Sequence, residues 1–236
     1  MTTQAGIVLE LFDVSKDYRG LRPLRIASLE LRAGEHIAIV GLDQTTAEVF
    51  VNLVTGATLP DRGDVRLFGR STASITDSAD WLAVVDRFGI VSPRAVLLDG
   101  LTVVQNLAMP YTLEIEPPAD DIRQRAVALA KRVGLGEAAL DRPVGELGAP
   151  GLVRVRLGRA LALDPAVVIL EHPTAGIPRE AVTELAAQCR AVEAATIALT
   201  ADAEFAASVA ERCLTLDPAT GRLDGRSGWF ARFRRS

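Results

Sequence analysis

Residues 36 to 41, His-Ile-Ala-Ile-Val-Gly, place four consecutive apolar side chains between a polar turn at Gly34-Glu35 and a glycine. A run this short and this apolar reads as a strand covered on both faces, the setting of a parallel sheet between layers of helix. Val167 to Leu170 repeats the pattern, and further strands are expected at 196–200 and 213–217, separated by helices at 151–163, 179–193 and 203–211. Alternation of this kind predicts an α/β chain with a mostly parallel sheet flanked by helices. Ahead of it, 7–14 and 24–32 read as strands of an antiparallel region. A helix from about Thr45 to Thr55 carries Val49, Phe50, Leu53 and Val54 on one side, and Gly56, Pro60 and Gly63 mark the loop before a strand at 64–68. Between about 100 and 145 the texture is helical and polar. Ile122, Ala126, Leu129, Ala130 and Val133 fall at helical spacing, bounded by Pro117-Pro118, Gly134 and Gly136. One domain over 7–225, with a helical insert at about 100–150 and a tail at 226–236, follows.

A net charge of -4 gives no general attraction to nucleic acid. No apolar run approaches the roughly 20 residues that cross a bilayer, and Met1-Thr2-Thr3-Gln4 does not open a signal-type segment. Cys189 and Cys213 have no metal or redox spacing, so no metal site and a reducing compartment are expected.

A strand ending in glycine before a helix is where a phosphate-binding loop, G-x-x-x-x-G-K-[ST], would lie. Its backbone N–H groups, lysine and hydroxyl serve phosphate and magnesium. The eight residues here are Gly41, Leu42, Asp43, Gln44, Thr45, Thr46, Ala47 and Glu48. The first glycine is kept; Thr46 stands for the second, Ala47 for the lysine and Glu48 for the hydroxyl. The chain has two lysines, Lys16 and Lys131, against 24 arginines, and neither lysine is near this loop. Thr45, Thr46 and the helix N-terminus still offer donors to an anion. Asp43 and Glu48 oppose one: a like-charge contact at ~4 Å costs about 4 kcal/mol at an effective dielectric of about 20, half of a micromolar binding energy of about 8 kcal/mol. A purely structural reading makes Asp43 the cap of the helix.

Several segments in order resemble the nucleotide-binding subunit of ABC transporters, most closely the lipoprotein-release, macrolide-export and cell-division type. Asp13-Val14-Ser15-Lys16-Asp17-Tyr18 is similar to that family's opening strand with its adenine-stacking aromatic. Leu31-Arg32-Ala33-Gly34-Glu35 matches the lead into its loop strand, and Leu101 to Pro110, LTVVQNLAMP, its insert. Arg159 to Pro165 with Val167 to Thr174 resembles the helix and Walker B strand. The match runs from about residue 8 to 223. It implies a P-loop NTPase-like fold with an N-terminal antiparallel β region and an inserted helical subdomain, and it would make Tyr18, Gly41, Thr45, Thr46 and Glu171 the nucleotide-facing positions.

Carried over one position at a time, the resemblance implies many departures. Glu171 keeps a carboxylate at the magnesium position, but His172 stands where the water-polarising glutamate is expected. Leu147-Gly148-Ala149-Pro150-Gly151 stands for the signature L-S-G-G-Q, with Gly148 at the serine and a proline that lacks an N–H. Pro93 stands for the loop glutamine, Ala201 for the switch histidine and Pro178 for the D-loop aspartate. In the family each ATP lies between the loop of one subunit and the signature of another, so this chain departs in both halves of its contribution.

The expectation is a subunit that does not hydrolyse ATP, uses no cofactor, and acts by contact with a membrane-spanning transporter subunit or an ABC-type ATPase at the inner face of the membrane. Val96, Leu97, Leu98, Leu101 and Met109 are the docking candidates; packing under the insert is the alternative for them. The tail Arg226 to Ser236, with four arginines among its aromatics, would rest weakly on an anionic membrane, at about 1 kcal/mol per basic residue. Two other readings use the same residues. One is an atypical ATPase with His172 as base and Glu48 with Glu171 around magnesium. The other is a cytosolic binding module in which Thr45, Thr46 and Arg94 take a ligand less charged than ATP.

Overall fold

The computed structural model describes residues 6–225. In chain order the main elements are β1 (Ile7–Lys16), β2 (Leu24–Arg32), β3 (His36–Val40), α1 (Gln44–Val54), β4 (Arg62–Leu67), β5 (Arg70–Ser71), α2 (Ser78–Val85), β6 (Phe88–Val91), α3 (Val103–Ala108), α4 (Asp120–Arg132), α5 (Ala149–Leu161), β7 (Val167–Glu171), α6 (Arg179–Arg190), β8 (Ala195–Thr200), α7 (Ala203–Val209), β9 (Arg212–Leu216) and β10 (Leu223–Gly225). The antiparallel sheet runs β2-β1-β4-β5 and the second sheet β10-β9-β3-β8-β7-β6. In the second, β9, β3, β8, β7 and β6 are mutually parallel and β10 is an antiparallel edge.

Successive strand side chains point to opposite faces, so each central strand feeds two cores. Ile37, Ile39, Val167, Ile169, Ile197 and Leu199 pack with α1 and the antiparallel sheet. Ala38, Val40, Val168, Leu170 and Ala198 pack with the helices of the other layer. Every residue of β3, β7 and β8 is buried, which explains the apolar runs Ile37 to Val40, Val167 to Leu170 and Ile197 to Leu199. His36 fits this setting because its Nδ1 and Nε2 lie 3.2 Å and 2.8 Å from the carbonyl oxygens of Val209 and Val192.

The sequence reading did not place α2 or β6. β6 has four residues with a glycine inside, a weak strand signal, and the reason for that glycine lies elsewhere in the chain. A Cβ on Gly89 would stand 2.3 Å from the Ala160 carbonyl oxygen, so α5 can approach β6 only over a glycine. Helix ends also move: the expected 45–55, 151–163, 179–193 and 203–211 become Gln44–Val54, Ala149–Leu161, Arg179–Arg190 and Ala203–Val209. Among the described residues no helix is long and apolar enough to cross a membrane. The tail at 226–236, with its proposed membrane contact, lies outside the described residues.

Candidate functional site

β3, β7 and β8 are parallel neighbours that end on the same edge, bringing Gly41, Glu171 and Ala201 to one rim of the sheet. In open parallel sheets this carboxyl edge is where crevices form. The chain leaves β3 through Gly41 at φ +97°, a conformation that suits glycine, and turns into α1.

Asp43 is the N-cap of α1: its Oδ1 accepts the Thr46 N–H at 2.7 Å. The Thr46 backbone N–H first, and then its hydroxyl, hold the Asp43 carboxyl below the usual carboxylate range. The helix N-terminus thus carries an anion of its own. Thr46 also shares a 3.1 Å hydrogen bond through Oγ1 with the Tyr18 hydroxyl. The Tyr18 ring has the chain folded over it: a Cβ on Gly20 would lie 2.5 Å from its Cε2. Thr45 is exposed, while Ala47 is wholly buried in the core beside Phe50 and Leu53.

Glu171 shares strand parity with Val167 and Ile169, so it turns toward α1, and it is fully buried. Its Oε1 accepts from Gln44 Nε2 at 2.7 Å and its Oε2 from Arg94 Nη2 at 2.9 Å. The other terminal nitrogen of Arg94, Nη1, reaches Glu48 Oε1 at 2.7 Å. One guanidinium joins both carboxylates, and its pKa is raised, chiefly by the bond to Glu171. This corrects the picture of Glu48 as a bare charge and of Arg94 as a group awaiting a ligand. A buried carboxylate needs hydrogen-bonded partners, and two side chains of this chain supply them.

His172 follows Glu171 at φ +44°, with its backbone N–H on the Leu199 carbonyl at 2.8 Å. Its Nε2 is shielded from solvent and has no hydrogen-bond partner among the described residues. The residue lines a cavity of about 70 Å³ with Ser92, Pro93, Ala149, Leu152 and Arg156. Gly148 is the N-cap of α5 without a side-chain cap bond, Pro150 lies in the first turn, and the N–H groups of Gly151 and Leu152 turn back to the Gly148 carbonyl. Pro93 and Ala201 are exposed. Among the described residues no group of three His, Cys, Asp or Glu is arranged to hold a metal.

Of the docking candidates, Val96 and Leu98 are exposed, at 73% and 39%. Leu97 is a correction: at 8% exposure it points into the helical core, because the loop turns over between its neighbours. Leu101 is half-buried, and Met109 lines a separate groove with Phe88, Ile90, Ala95, Arg159 and Leu163.

The sequence reading missed Gln44 and the joint role of Arg94 with Glu48. A signal was available: an acidic residue, Glu48, where the resemblance implies a neutral one, and a basic one, Arg94, in the facing loop, compensate each other.

Comparison with known proteins bears on this arrangement. A family model described as ABC transporter matches residues 24–175. The lipoprotein-releasing system ATP-binding protein LolD of Pseudomonas fluorescens is 33% identical over 174 residues, covering 72% of this chain and 76% of LolD. The methionine import ATP-binding protein MetN of Brucella abortus is 28% identical over 219 residues, or 91% of this chain, which spans 58% of MetN's length. Among solved structures, a dimeric bacterial ABC transporter cassette superposes with a TM-score of 0.76 at 20% identity, covering 94% of this chain and all of the other. The cbiO1 protein of Clostridium perfringens, part of the ABC transporter complex cbiONQ, gives 0.78 at 22% identity over 92% and 87%. At these identities the structural likeness is one of fold.

Proposed function

The chain belongs to the ABC transporter family of ATP-binding proteins, and from that premise we propose that it is a subunit that docks on a membrane-spanning transport partner and does not hydrolyse ATP. The observation that carries this reading is the occupancy of Glu171. In the position that the family resemblance assigns to magnesium, both carboxylate oxygens are taken by Gln44 and Arg94. The Asp43 carboxylate on the helix N-terminus and the buried Ala47 in place of a lysine support it further. These residues do not fit a magnesium polyphosphate, since phosphoryl transfer depends on positioning and on charge stabilisation of the transferring group. His172, with Nε2 shielded from solvent, is a poor base for a water at the rim.

With the signature segment also altered, the chain supplies neither half of an ATP sandwich to a partner subunit. Its work is then contact, at the cytoplasmic face of a membrane complex, through exposed Val96 and Leu98. The test is calorimetric titration of ATP with and without magnesium, together with a turnover assay, on the native chain and on the triple variant Thr46→Gly, Ala47→Lys, Glu48→Ser. No binding heat and no turnover by the native chain are expected. Magnesium-dependent turnover that Glu171→Gln abolishes would overturn the reading.

A further inference from the structure

The loop from Ser92 to Thr102, between β6 and α3, is held from three directions by side chains of the protein itself. From the sheet rim, Glu48 and Glu171 take Arg94. From α5, Arg156 Nε donates to the Ala95 carbonyl at 3.2 Å and Arg159 Nη1 to the Val96 carbonyl at 2.7 Å. From α3, the fully buried Asn106 accepts the Leu98 N–H at 2.9 Å and donates to the carbonyls of Leu98, Leu101 and Thr102 at 3.1, 3.3 and 3.1 Å. Backbone N–H groups of Val144 and Gly145 close on Leu101 and Asp99, and Leu97 is driven into the core. Between these ties Val96 stays 73% exposed.

We propose that Arg94 is a built-in tie, standing in for a bound cation, that joins the 92–102 loop to the rim and holds Val96 and Leu98 as a preformed contact surface whether or not nucleotide and magnesium are present. The guanidinium is suited to this because its planar fork reaches two carboxylates at once, where an ammonium offers a single point charge. A surface already ordered loses less conformational freedom on docking. The identity of these two residues as contacts rests on the proposed function; the tie does not.

Amide hydrogen exchange on the full chain, with the stability of each variant measured alongside, tests it. In the native protein, exchange at residues 95–101 should be unchanged by ATP with magnesium. Arg94→Ala should speed exchange there about tenfold relative to the β7 amides, and Arg94→Lys should recover only part of the protection. A general loss across β7 and β8 would mark global destabilisation; Glu48→Gln, which leaves the bond between Arg94 and Glu171 in place, then supplies the reading, with a smaller acceleration confined to the loop. Unchanged exchange in both variants, or native protection that appears only with ATP and magnesium, would overturn the tie. Loop protection independent of nucleotide in a chain that turns over ATP would sink the proposed function and leave the tie standing.

Discussion

The two bonds of Arg94 differ in worth because their carboxylates differ in exposure. Glu171 is wholly buried, whereas the Glu48 side chain is 43% exposed. Removing Arg94 leaves the buried Glu171 carboxylate without its charged partner, but the guanidinium side chain is itself 41% exposed and screened by solvent, so Arg94→Ala should lower unfolding free energy by about 2 kcal/mol in urea titration. Glu48→Gln should cost under about 1 kcal/mol in the same titration. Asp43→Ala, which removes a helix cap, is expected to cost about 1 kcal/mol at pH 7. Because the folded Asp43 pKa is depressed, that contribution is present above the unfolded carboxylate pKa of about 3.9 and is lost as pH falls through the lower folded value. The native and Asp43→Ala stability curves should therefore converge in acid. Burial pushes the Cys189 thiol up to about 12, so iodoacetamide at pH 8 should leave Cys189 unmodified in the folded protein and label it after unfolding. The residue substitutions were legible in the sequence; their pairing was not, since Glu48 and Arg94 are 46 positions apart and meet only across the rim.

At the scale of elements, the helical insert is fastened through α3, a helix of six residues that is stable only through its packing. Thr102 and Gln105 cap it reciprocally, and its Asn106 serves the preceding loop with four hydrogen bonds. Asn106→Leu keeps the volume but strands the Leu98 N–H, while the carbonyls of Leu98, Leu101 and Thr102 keep their backbone partners. A loss of about 1 to 2 kcal/mol in thermal or urea unfolding is expected. Strongly periodic elements such as α4 and the runs of β3 and β7 were readable from pattern alone. β6 and α3 were not, because each is short and owes its form to neighbours: Gly89 to the approach of α5, and Asn106 to the turn of the loop.

For the whole molecule, a ligand that binds the folded state raises stability by mass action. A 10 μM binder at 1 mM would add about 2.7 kcal/mol, which for a domain of this size is roughly 5 to 10 °C in melting temperature. With Asp43 and Arg94 in place, 1 mM ATP with magnesium should shift the melting temperature by less than about 1 °C in a thermal-shift measurement. The family and the layered α/β plan were set by sequence, because short apolar strands alternating with periodic helices admit few other arrangements. Ala47, Gly148 and His172, at the positions where the resemblance implies a lysine, a signature serine and a glutamate, were equally plain there. Tertiary structure alone decided what replaced them. Strand parity turns Glu171 toward α1, strand order brings the carboxyl ends of β3, β6 and β7 to one rim, and only at that rim does an arginine from the loop after β6 meet one carboxylate from α1 and another from the end of β7. A one-dimensional pattern records which charges are present; which of them neutralise each other depends on distances of a few ångströms, and folding sets those.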